Sequence, residues 1–230
     1  MATIYLVRHG QASFGQSDYD KLSSRGWEQG RVLGRWLRSQ TAPAMVFSGD
    51  LRRHRETLSA IEEGLGNPLP AALIDPGFNE FDHEAVIHAH RPEWADRKVL
   101  AQELARHREP AKAFQKTFAE AMQRWLEGDR AAEYPETWPA FQARVTQALE
   151  KAIVDTEGAG DILVATSGGP IVVIVQALLG LDNRTALGLN EVVANASVSR
   201  VLFSGERRSL AVFNSFSHLE AESASLVTYR

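Results

Sequence analysis

A continuous apolar strand pattern that leads directly into a glycine-rich loop and an apolar helix pattern is the strongest constraint on this fold. It occupies residues 161–180, DILVATSGGPIVVIVQALLG. An unbroken apolar strand is typical of parallel sheets that are covered by helices on both faces. The loop 166–170 joins the strand to a helix that we expect to have Pro170 at its first position. The segment therefore predicts an α/β fold and places a glycine pair where backbone amides can hold an anion.

Strand and helix patterns alternate through most of the rest of the chain. Strands are predicted at 4–7, 44–48 and 71–75, and an amphipathic helix at 138–155. Ser23 or Ser24 can cap the first helix, and we expect Asp50 to cap the second. The last strand patterns flank Ser204-Gly205-Glu206 and predict a β-hairpin. This order predicts a mostly parallel sheet with helices on both faces and the hairpin at its edge.

Residues 85–135 differ from the rest, since they are rich in Ala, Arg, Glu, Gln and Trp and lack a strand pattern. We expect two or three helices here, and we expect Trp94, Trp125 and Trp138 to be helix-packing residues. The chain of 230 residues suits one sizeable α/β domain. We therefore predict a single domain, 1–230, in which 85–135 is a helical insertion or lid.

Composition excludes several classes of partner. The net charge of −4 indicates no basic surface for nucleic acid, and the lack of cysteine excludes disulfides and thiolate metal sites. The start, MATIYLVRHG, has no basic region before an apolar run, so we expect no signal peptide. The apolar stretch 170–181 is too short to span a bilayer. We expect a cytoplasmic protein without a membrane partner.

Groups suited to phosphate chemistry follow the predicted strands, at the edge of the sheet where α/β folds bind ligands. They are Arg8 and His9 after the first strand, Arg53 after the second, Glu80 after the third, and Ser167 and Gly168 after the fourth. Guanidinium groups match phosphate oxygens, and a neutral imidazole nitrogen can attack phosphorus. Its other nitrogen must then donate, and we expect a backbone carbonyl to accept. Glu80 could protonate the leaving alkoxide.

Each of these residues also has an ordinary explanation when it stands alone, as an ion-pair partner, a loop residue or a turn. The run LRRHRE (51–56) is typical of a solvated helix face, and we expect His54 to face away from Arg53. His83 and His218 are candidates for the rim of the site. His88 and His90 lack carboxylates at ligand spacing, so we expect neither a metal nor another cofactor. The joint placement of the first set at successive strand ends is what favours a functional site.

The motifs resemble those of the histidine phosphatase superfamily, also called phosphoglycerate-mutase-like. The matching segments are LVRHGQ (6–11), LSSRGWEQG (22–30), SGDLRRHRET (48–57), FNEFD (78–82), PETWPAFQARV (135–145) and FNSFSHL (213–219). The resemblance implies a three-layer α/β/α sandwich. It also implies that His9 is a nucleophile forming a phosphohistidine, that Arg8 and Arg53 clamp the phosphate, and that Glu80 is the acid. We assign Gln11, which ends the first motif, to the substrate site with Ser167 and Gly168.

The chain departs from that family at Ser167. The family's fourth motif has the form [ST]-H-G-G, whereas this chain has Thr166-Ser167-Gly168-Gly169. A hydroxyl donates one hydrogen bond but carries no charge, so transition-state binding would weaken by about 1–3 kcal/mol. We expect Ser167 to donate to a phosphate oxygen. We do not expect it to be a nucleophile, because its own motif offers no general base.

Three functions remain open at this point. The first is a metal-independent phosphomonoesterase acting through His9. The second is a phospholigand-binding protein with weak or no turnover because of Ser167. The third is a mutase, against which the absence of the mutases' additional segments argues. The substrate is a small phosphorylated compound or a phosphoprotein, and pairing through the edge hairpin leaves a homo-oligomer open.

Overall fold

The computed structural model of the chain describes residues 2–13, 20–156 and 158–229. It divides into two compact units, one comprising Met1–Glu80 with Arg144–Arg230 and the other Phe81–Ala143. The expectation of a single domain with an insertion or lid over 85–135 stays a prediction.

A mixed sheet forms the centre of the first unit. Over the described ranges it has six strands: β1 (Ala2–Arg8), β2 (Met45–Ser48), β3 (Leu73–Ile74), β4 (Ile162–Thr166), β5 (Val198–Ser204) and β6 (Arg207–Ser215). Their order across the sheet is β3-β2-β4-β1-β5-β6. The first four strands in this order pair in parallel, whereas β5 pairs antiparallel both with β1 and with β6. The mostly parallel sheet and the edge hairpin are confirmed.

Helices connect most of these strands. In the part of the chain that the structure describes they are α1 (Ser24–Leu37), α2 (Arg52–Leu65), α3 (His83–His90), α4 (Arg97–Leu104), α5 (Pro110–Glu127), α6 (Trp138–Asp155), α7 (Gly168–Leu179), α8 (Asn183–Asn190) and α9 (Ser217–Glu222). Ser23 caps α1 by accepting the Gly26 amide, and the predicted helix at 138–155 is confirmed. The division between the two units falls inside α6.

Both faces of the sheet are buried. Tyr5 and Val7 of β1 point to one face, where they belong to an apolar cluster with Leu33 of α1 and Ile61 of α2. Ile4 and Leu6 alternate with them and are fully buried on the opposite face. Helix α7, which follows β4 in the chain, contacts β1. Burial on both faces explains the unbroken apolar patterns of β1 and β4, and the α/β fold class is confirmed.

Two predicted helix starts are wrong. Asp50 does not cap α2, whose N-cap is Leu51, because the Asp50 carboxylate instead accepts a hydrogen bond from the Asn79 side chain at 2.6 Å. Helix α7 begins at Gly168, so Pro170 is its third residue and not its first. The third strand is also shorter than predicted, since only Leu73 and Ile74 pair with β2.

The second unit contains α3, α4, α5 and the start of α6. Its core is aromatic: the Trp125 ring lies 4.9 Å from Phe81, 5.2 Å from Trp138 and 5.9 Å from Phe141, measured between centroids. Trp94 is also buried. The predicted packing role of the three tryptophans is therefore confirmed.

Candidate active site

The register of β1 against β4 places the segment with Arg8 and His9 beside the segment with Thr166 and Ser167. Arg8 pairs with Thr166 in this parallel ladder, and the His9 amide donates to the Thr166 carbonyl at 2.9 Å. The residues that follow the two strands, His9 and Ser167, consequently leave the sheet at the same edge. The sequence separates them by more than 150 residues, and the crossover of the α/β fold brings them together.

The His9 ring is held in one tautomer. Its Nδ1 lies 2.7 Å from the Gly10 carbonyl oxygen, which can only accept, so Nδ1 carries the proton. Nε2 therefore keeps its lone pair. This confirms the expected backbone acceptor for the second ring nitrogen.

The surroundings of His9 favour its neutral form. Burial is the largest cause that lowers the pKa of His9 well below its ordinary value, and the charges of Arg53 and Arg8 lower it further. The nearby His54 ring acts in the same direction. A neutral imidazole whose Nε2 is unprotonated is the form that can act as a nucleophile.

Backbone contacts hold the His9 loop from two sides. On one side, the Gly10 amide donates to Thr57 Oγ1 at 3.0 Å, and the Thr57 hydroxyl donates to the Arg53 carbonyl at 2.7 Å. Thr57 thus ties the loop after β1 to the first turns of α2. On the other side, Asn195 Nδ2 and the Ala196 amide donate to the His9 carbonyl at 3.3 and 3.2 Å. Sequence analysis missed this second support.

Arg8 and Gly168 lie next to each other. The Arg8 guanidinium donates through Nη1 to the Val193 carbonyl. A Cβ built on Gly168 would lie 3.7 Å from Arg8 Nε and 2.8 Å from Asn190 Oδ1. Glycine at this position therefore leaves room between the guanidinium and the start of α7.

Arg53 is paired with a carboxylate in this structure. Its Nη1 lies 2.7 Å from Asp20 Oδ1, and the other Asp20 oxygen accepts the Arg52 amide at 2.8 Å. Arg53 is 9% exposed and lowers the pKa of His9, so its charge acts on the His9 ring. A carboxylate on a guanidinium occupies a position that a phosphate oxygen can also take.

Glu80 lies at the N-terminus of α7. Its Oε2 accepts the Gly169 amide at 3.1 Å, so this amide is engaged by protein in the described structure. The loop that carries Glu80 is held by Arg144, whose Nη1 donates to the carbonyls of Asn79 at 2.8 Å and Gly77 at 3.1 Å. Because Gly169 follows Ser167 and Gly168, the Glu80 carboxylate lies beside the fourth motif.

Gln11 lies in the loop after β1 and contacts the start of α1. Its side-chain oxygen accepts the Ser23 hydroxyl at 2.9 Å, and its amide donates to Gln29 Oε1 at 2.7 Å. These contacts fix the segment after His9 onto α1. The assignment of Gln11 to the substrate site stays a prediction.

His54 is the functional candidate that sequence analysis placed wrongly. The side chain is fully buried, its Nε2 lies 2.8 Å from Ser167 Oγ, and its ring centroid lies 5.8 Å from that of His9. Burial and the charges of Arg53 and Arg55 lower its pKa well below the ordinary value. The expectation of a solvated helix face did not allow for the position of these residues in the first turn of α2. There, consecutive side chains such as Arg53 and His54 can both face the edge of the sheet. The signal available was a histidine next to Arg53 in a chain with serine at the fourth motif.

The other histidines lie elsewhere. His218 stacks on Trp36 with 5.3 Å between centroids and donates from Nε2 to the Ala196 carbonyl at 3.0 Å, so it is buried and not at a rim. His83, His88 and His90 belong to the second unit. Among the described residues, no three His, Cys, Asp or Glu side chains are grouped so as to hold a metal ion.

None of the helices in the described ranges combines the length and the apolar character that crossing a bilayer requires.

Comparisons with known proteins agree with the motifs and the fold. The model of the histidine phosphatase superfamily (branch 1) matches residues 4–115 and 106–215. No curated protein matches the chain.

Several solved structures share the fold at low sequence identity. A phosphoglycerate mutase from Bacillus anthracis is 18% identical with a TM-score of 0.67, and 95% of each chain is covered. Phosphoserine phosphatase from Entamoeba histolytica, in complex with 3-phosphoglyceric acid, is 17% identical with a TM-score of 0.64, covering 95% of this chain and 100% of that one. A putative alpha-ribazole-5'-P phosphatase from Escherichia coli is 19% identical with a TM-score of 0.62, covering 94% and 98%.

Proposed function

Since the chain belongs to the histidine phosphatase superfamily, we propose that it is a metal-independent phosphomonoesterase that works through a phosphohistidine on His9. The observation that carries the proposal is the His9 ring itself. The ring is buried, and burial with the charges of Arg53 and Arg8 holds its pKa well below the ordinary value. Its Nδ1 donates to the Gly10 carbonyl, which leaves the lone pair on Nε2.

In the first step, the Nε2 lone pair of His9 bonds to phosphorus while the ester P–O bond breaks. The leaving oxygen takes a proton from Glu80 and departs as an alcohol. Arg8 and Arg53 hold the equatorial phosphoryl oxygens, whose negative charge their guanidinium forks match. The start of α7, with Ser167 and Gly168, binds the same group from the other side.

In the second step, water attacks the phosphohistidine. The carboxylate of Glu80 accepts a proton from this water as its oxygen bonds to phosphorus. The N–P bond breaks, inorganic phosphate leaves, and the His9 lone pair is restored. Each turnover thus returns Glu80 and His9 to their starting protonation states, and no step uses a metal ion or another cofactor.

The proposed substrate is a phosphate monoester of a small compound or of a phosphoprotein, and the proposal includes neither nucleic acid nor a membrane as partner. The substrates and bound compounds of the structural neighbours suggest a first panel of phosphoserine, phosphoglycerates and alpha-ribazole 5'-phosphate. Phosphopeptides and sugar phosphates complete it.

A second candidate, a phospholigand-binding protein without turnover, is favoured by Ser167, an uncharged side chain at the position where the family's fourth motif has a histidine. Hydrolysis of the panel and of an aryl phosphate, with EDTA present, separates the two. The phosphatase proposal expects turnover by the parent protein and by the control His107→Ala, which changes an exposed histidine of the second unit. It expects none from His9→Ala. Tight vanadate binding with no hydrolysis anywhere in the panel would favour the second candidate.

A further inference from the structure

Ser167 does not do what a serine at a helix N-cap ordinarily does. Such a serine accepts a hydrogen bond from an amide in the first turn of its own helix and stabilises that helix. The Ser167 side chain makes no such bond to α7, and its Oγ lies 2.8 Å from His54 Nε2 instead. Both side chains are fully buried. The hydroxyl is therefore directed by the histidine and not by the helix that it begins.

His54 is fixed in position next to the proposed nucleophile. Its ring centroid lies 5.8 Å from that of His9 with 40° between the ring planes. On the side away from Ser167, Nδ1 packs against Gly49, where an added Cβ would come within 2.4 Å of it. The ring is thus held between the end of β2 and the start of α7.

The charged groups that lower the pKa of His54 are Arg53 and Arg55 of its own helix, whereas a backbone hydrogen bond at Gly49 raises it. The titratable ring that faces His54 from the loop after β1 is that of His9. With burial, the two arginines hold the pKa of His54 low, so the ring is neutral when no anion is present. A phosphate dianion beside His9 adds negative charge close to the ring. Opposite charge within a few ångströms favours the protonated form of a histidine.

We propose that His54 and Ser167 act as one hydrogen-bonded pair, which supplies the phosphate site with the charged donor that a lone serine lacks. When the phosphoryl group binds, His54 takes up a proton and donates from Nε2 to Ser167 Oγ. The Ser167 hydroxyl then donates its own proton to a phosphoryl oxygen. This inference rests on the proposed function, because it concerns the phosphoryl group that His9 accepts.

The two residues have different roles in this pair. Ser167 is a catalytic residue, since its hydroxyl touches the phosphoryl group. His54 acts through Ser167 and is a positioning residue. The same geometry could serve a serine nucleophile with His54 as its base, and a phosphoserine at 167 would overturn the proposal.

Kinetics test whether the pair is a unit. Ser167→Ala and His54→Ala are each expected to lower kcat/KM by about 10- to 100-fold. The double variant is expected to be no worse than the poorer single variant, because either change removes the same donor. His54→Gln keeps a donor for Ser167 but no charge, so it should fall between the parent and His54→Ala. Losses that simply multiply in the double variant, or a His54→Ala within twofold of the parent, would overturn the proposal.

Sulfate binding tests whether His54 takes up a proton when an anion binds, and this test needs no turnover. Sulfate resembles phosphate and does not titrate between pH 5 and 8. Calorimetry at pH 7 in buffers of different ionisation enthalpy counts the protons that binding takes up. The parent protein is expected to take up nearly one proton more than His54→Gln, with His107→Gln as the control. Equal uptake by the parent and His54→Gln would contradict the pair.

The two tests separate this inference from the proposed function. If the parent hydrolyses no phosphate ester but takes up the extra proton with sulfate, the phosphatase proposal fails and the pair stands. If the parent turns over through His9 and His54→Ala matches it, the phosphatase proposal stands and the pair fails. Thermal unfolding of each variant, with His54→Gln as the milder change, identifies losses that come from misfolding.

Discussion

The amide of Gly10 and the hydroxyl of Thr57, 3.0 Å apart, join the loop that carries His9 to the helix that carries Arg53. The same threonine donates to the Arg53 carbonyl, so a single side chain links the proposed nucleophile to one of its two arginines. On the opposite side, Gly10 packs against Gly26 of α1 so closely that a Cβ would lie 2.5 Å from the Gly26 carbonyl oxygen. The position of His9 therefore depends on backbone packing at Gly10.

Gly10→Ala tests this dependence. The added methyl meets backbone atoms, which cannot move as a flexible side chain would, so the His9 loop must shift. Displacement of a reacting group by about 1 Å can lower a rate about 100-fold, and we expect a loss of kcat of that size. Gly188→Ala in α8 is the matched control, because within the described chain the added Cβ meets nothing within 4 Å beyond its chain neighbours and the backbone of its own helix. A kcat for Gly10→Ala near that of the parent would contradict the role of this packing.

Asp20→Asn is expected to strengthen phosphate binding. The Asp20 carboxylate pairs with Arg53 at 2.7 Å and would repel an incoming phosphate dianion. Its removal leaves the Arg53 charge to the ligand, and we expect the inhibition constant of inorganic phosphate to fall by about 3- to 10-fold at low salt. Glu63→Gln, which removes the exposed ion pair with Arg31, is the control. Weaker phosphate inhibition would show that Asp20 orients Arg53 rather than competing for it.

Glu80→Gln is expected to affect substrates according to their leaving groups. A glutamine oxygen can still accept the Gly169 amide, so the loop should keep its place. An alkoxide needs the proton from Glu80, and we expect an alkyl phosphate to lose about 100- to 10,000-fold in kcat/KM. A dinitrophenyl phosphate, whose leaving group needs no proton, should lose far less. Equal losses with both substrates, measured beside the control Glu84→Gln, would argue against Glu80 as the acid.

Buried histidines are expected to make the fold less stable in acid. Burial lowers the pKa of His218 from 6.5 to about 4, so between these values the unfolded chain binds a proton that the folded protein does not. Stability consequently falls as the pH drops through this window, by up to about 3 kcal/mol from this group. His9 and His54 act in the same direction.

His218→Gln isolates the share of one group. Denaturant unfolding of this variant at pH 7.5, 6 and 5 should show a shallower fall in the free energy of unfolding than in the parent. His107→Gln, at an exposed position, should follow the parent. If His218→Gln kept the parent's slope, His218 would not be the group that titrates.

Much of the fold follows from local patterns. Apolar runs at β1 and β4 identified the central strands, and turn residues at 204–206 identified the hairpin, because burial on both faces and tight turns each leave a direct mark on the sequence. The predicted starts of helices α2 and α7 were less accurate. Asp50 has the right side chain for an N-cap, but its contact with Asn79, distant in sequence, takes precedence.

Some features of the candidate site could likewise be predicted from the sequence, and others could not. The placement of His9, Arg53 and Ser167 at one sheet edge follows from the order of strands and the parallel crossover. The inward position of His54 could not be read from helix periodicity, since it depends on how the first turn of α2 meets the ends of β2 and β4. The support of His9 by Asn195 joins residues 186 positions apart and leaves no local pattern.

The central claim is that phosphate is transferred to His9, and trapping the phosphoenzyme tests it most directly. The parent protein is mixed with a phosphate ester carrying labelled phosphorus, denatured within milliseconds and digested, and the labelled peptide is identified. The account predicts label on His9, stable in alkali and lost in acid, with none in His9→Ala and a normal yield in His107→Ala. Label on another residue, or acid-stable label on Ser167, would contradict it.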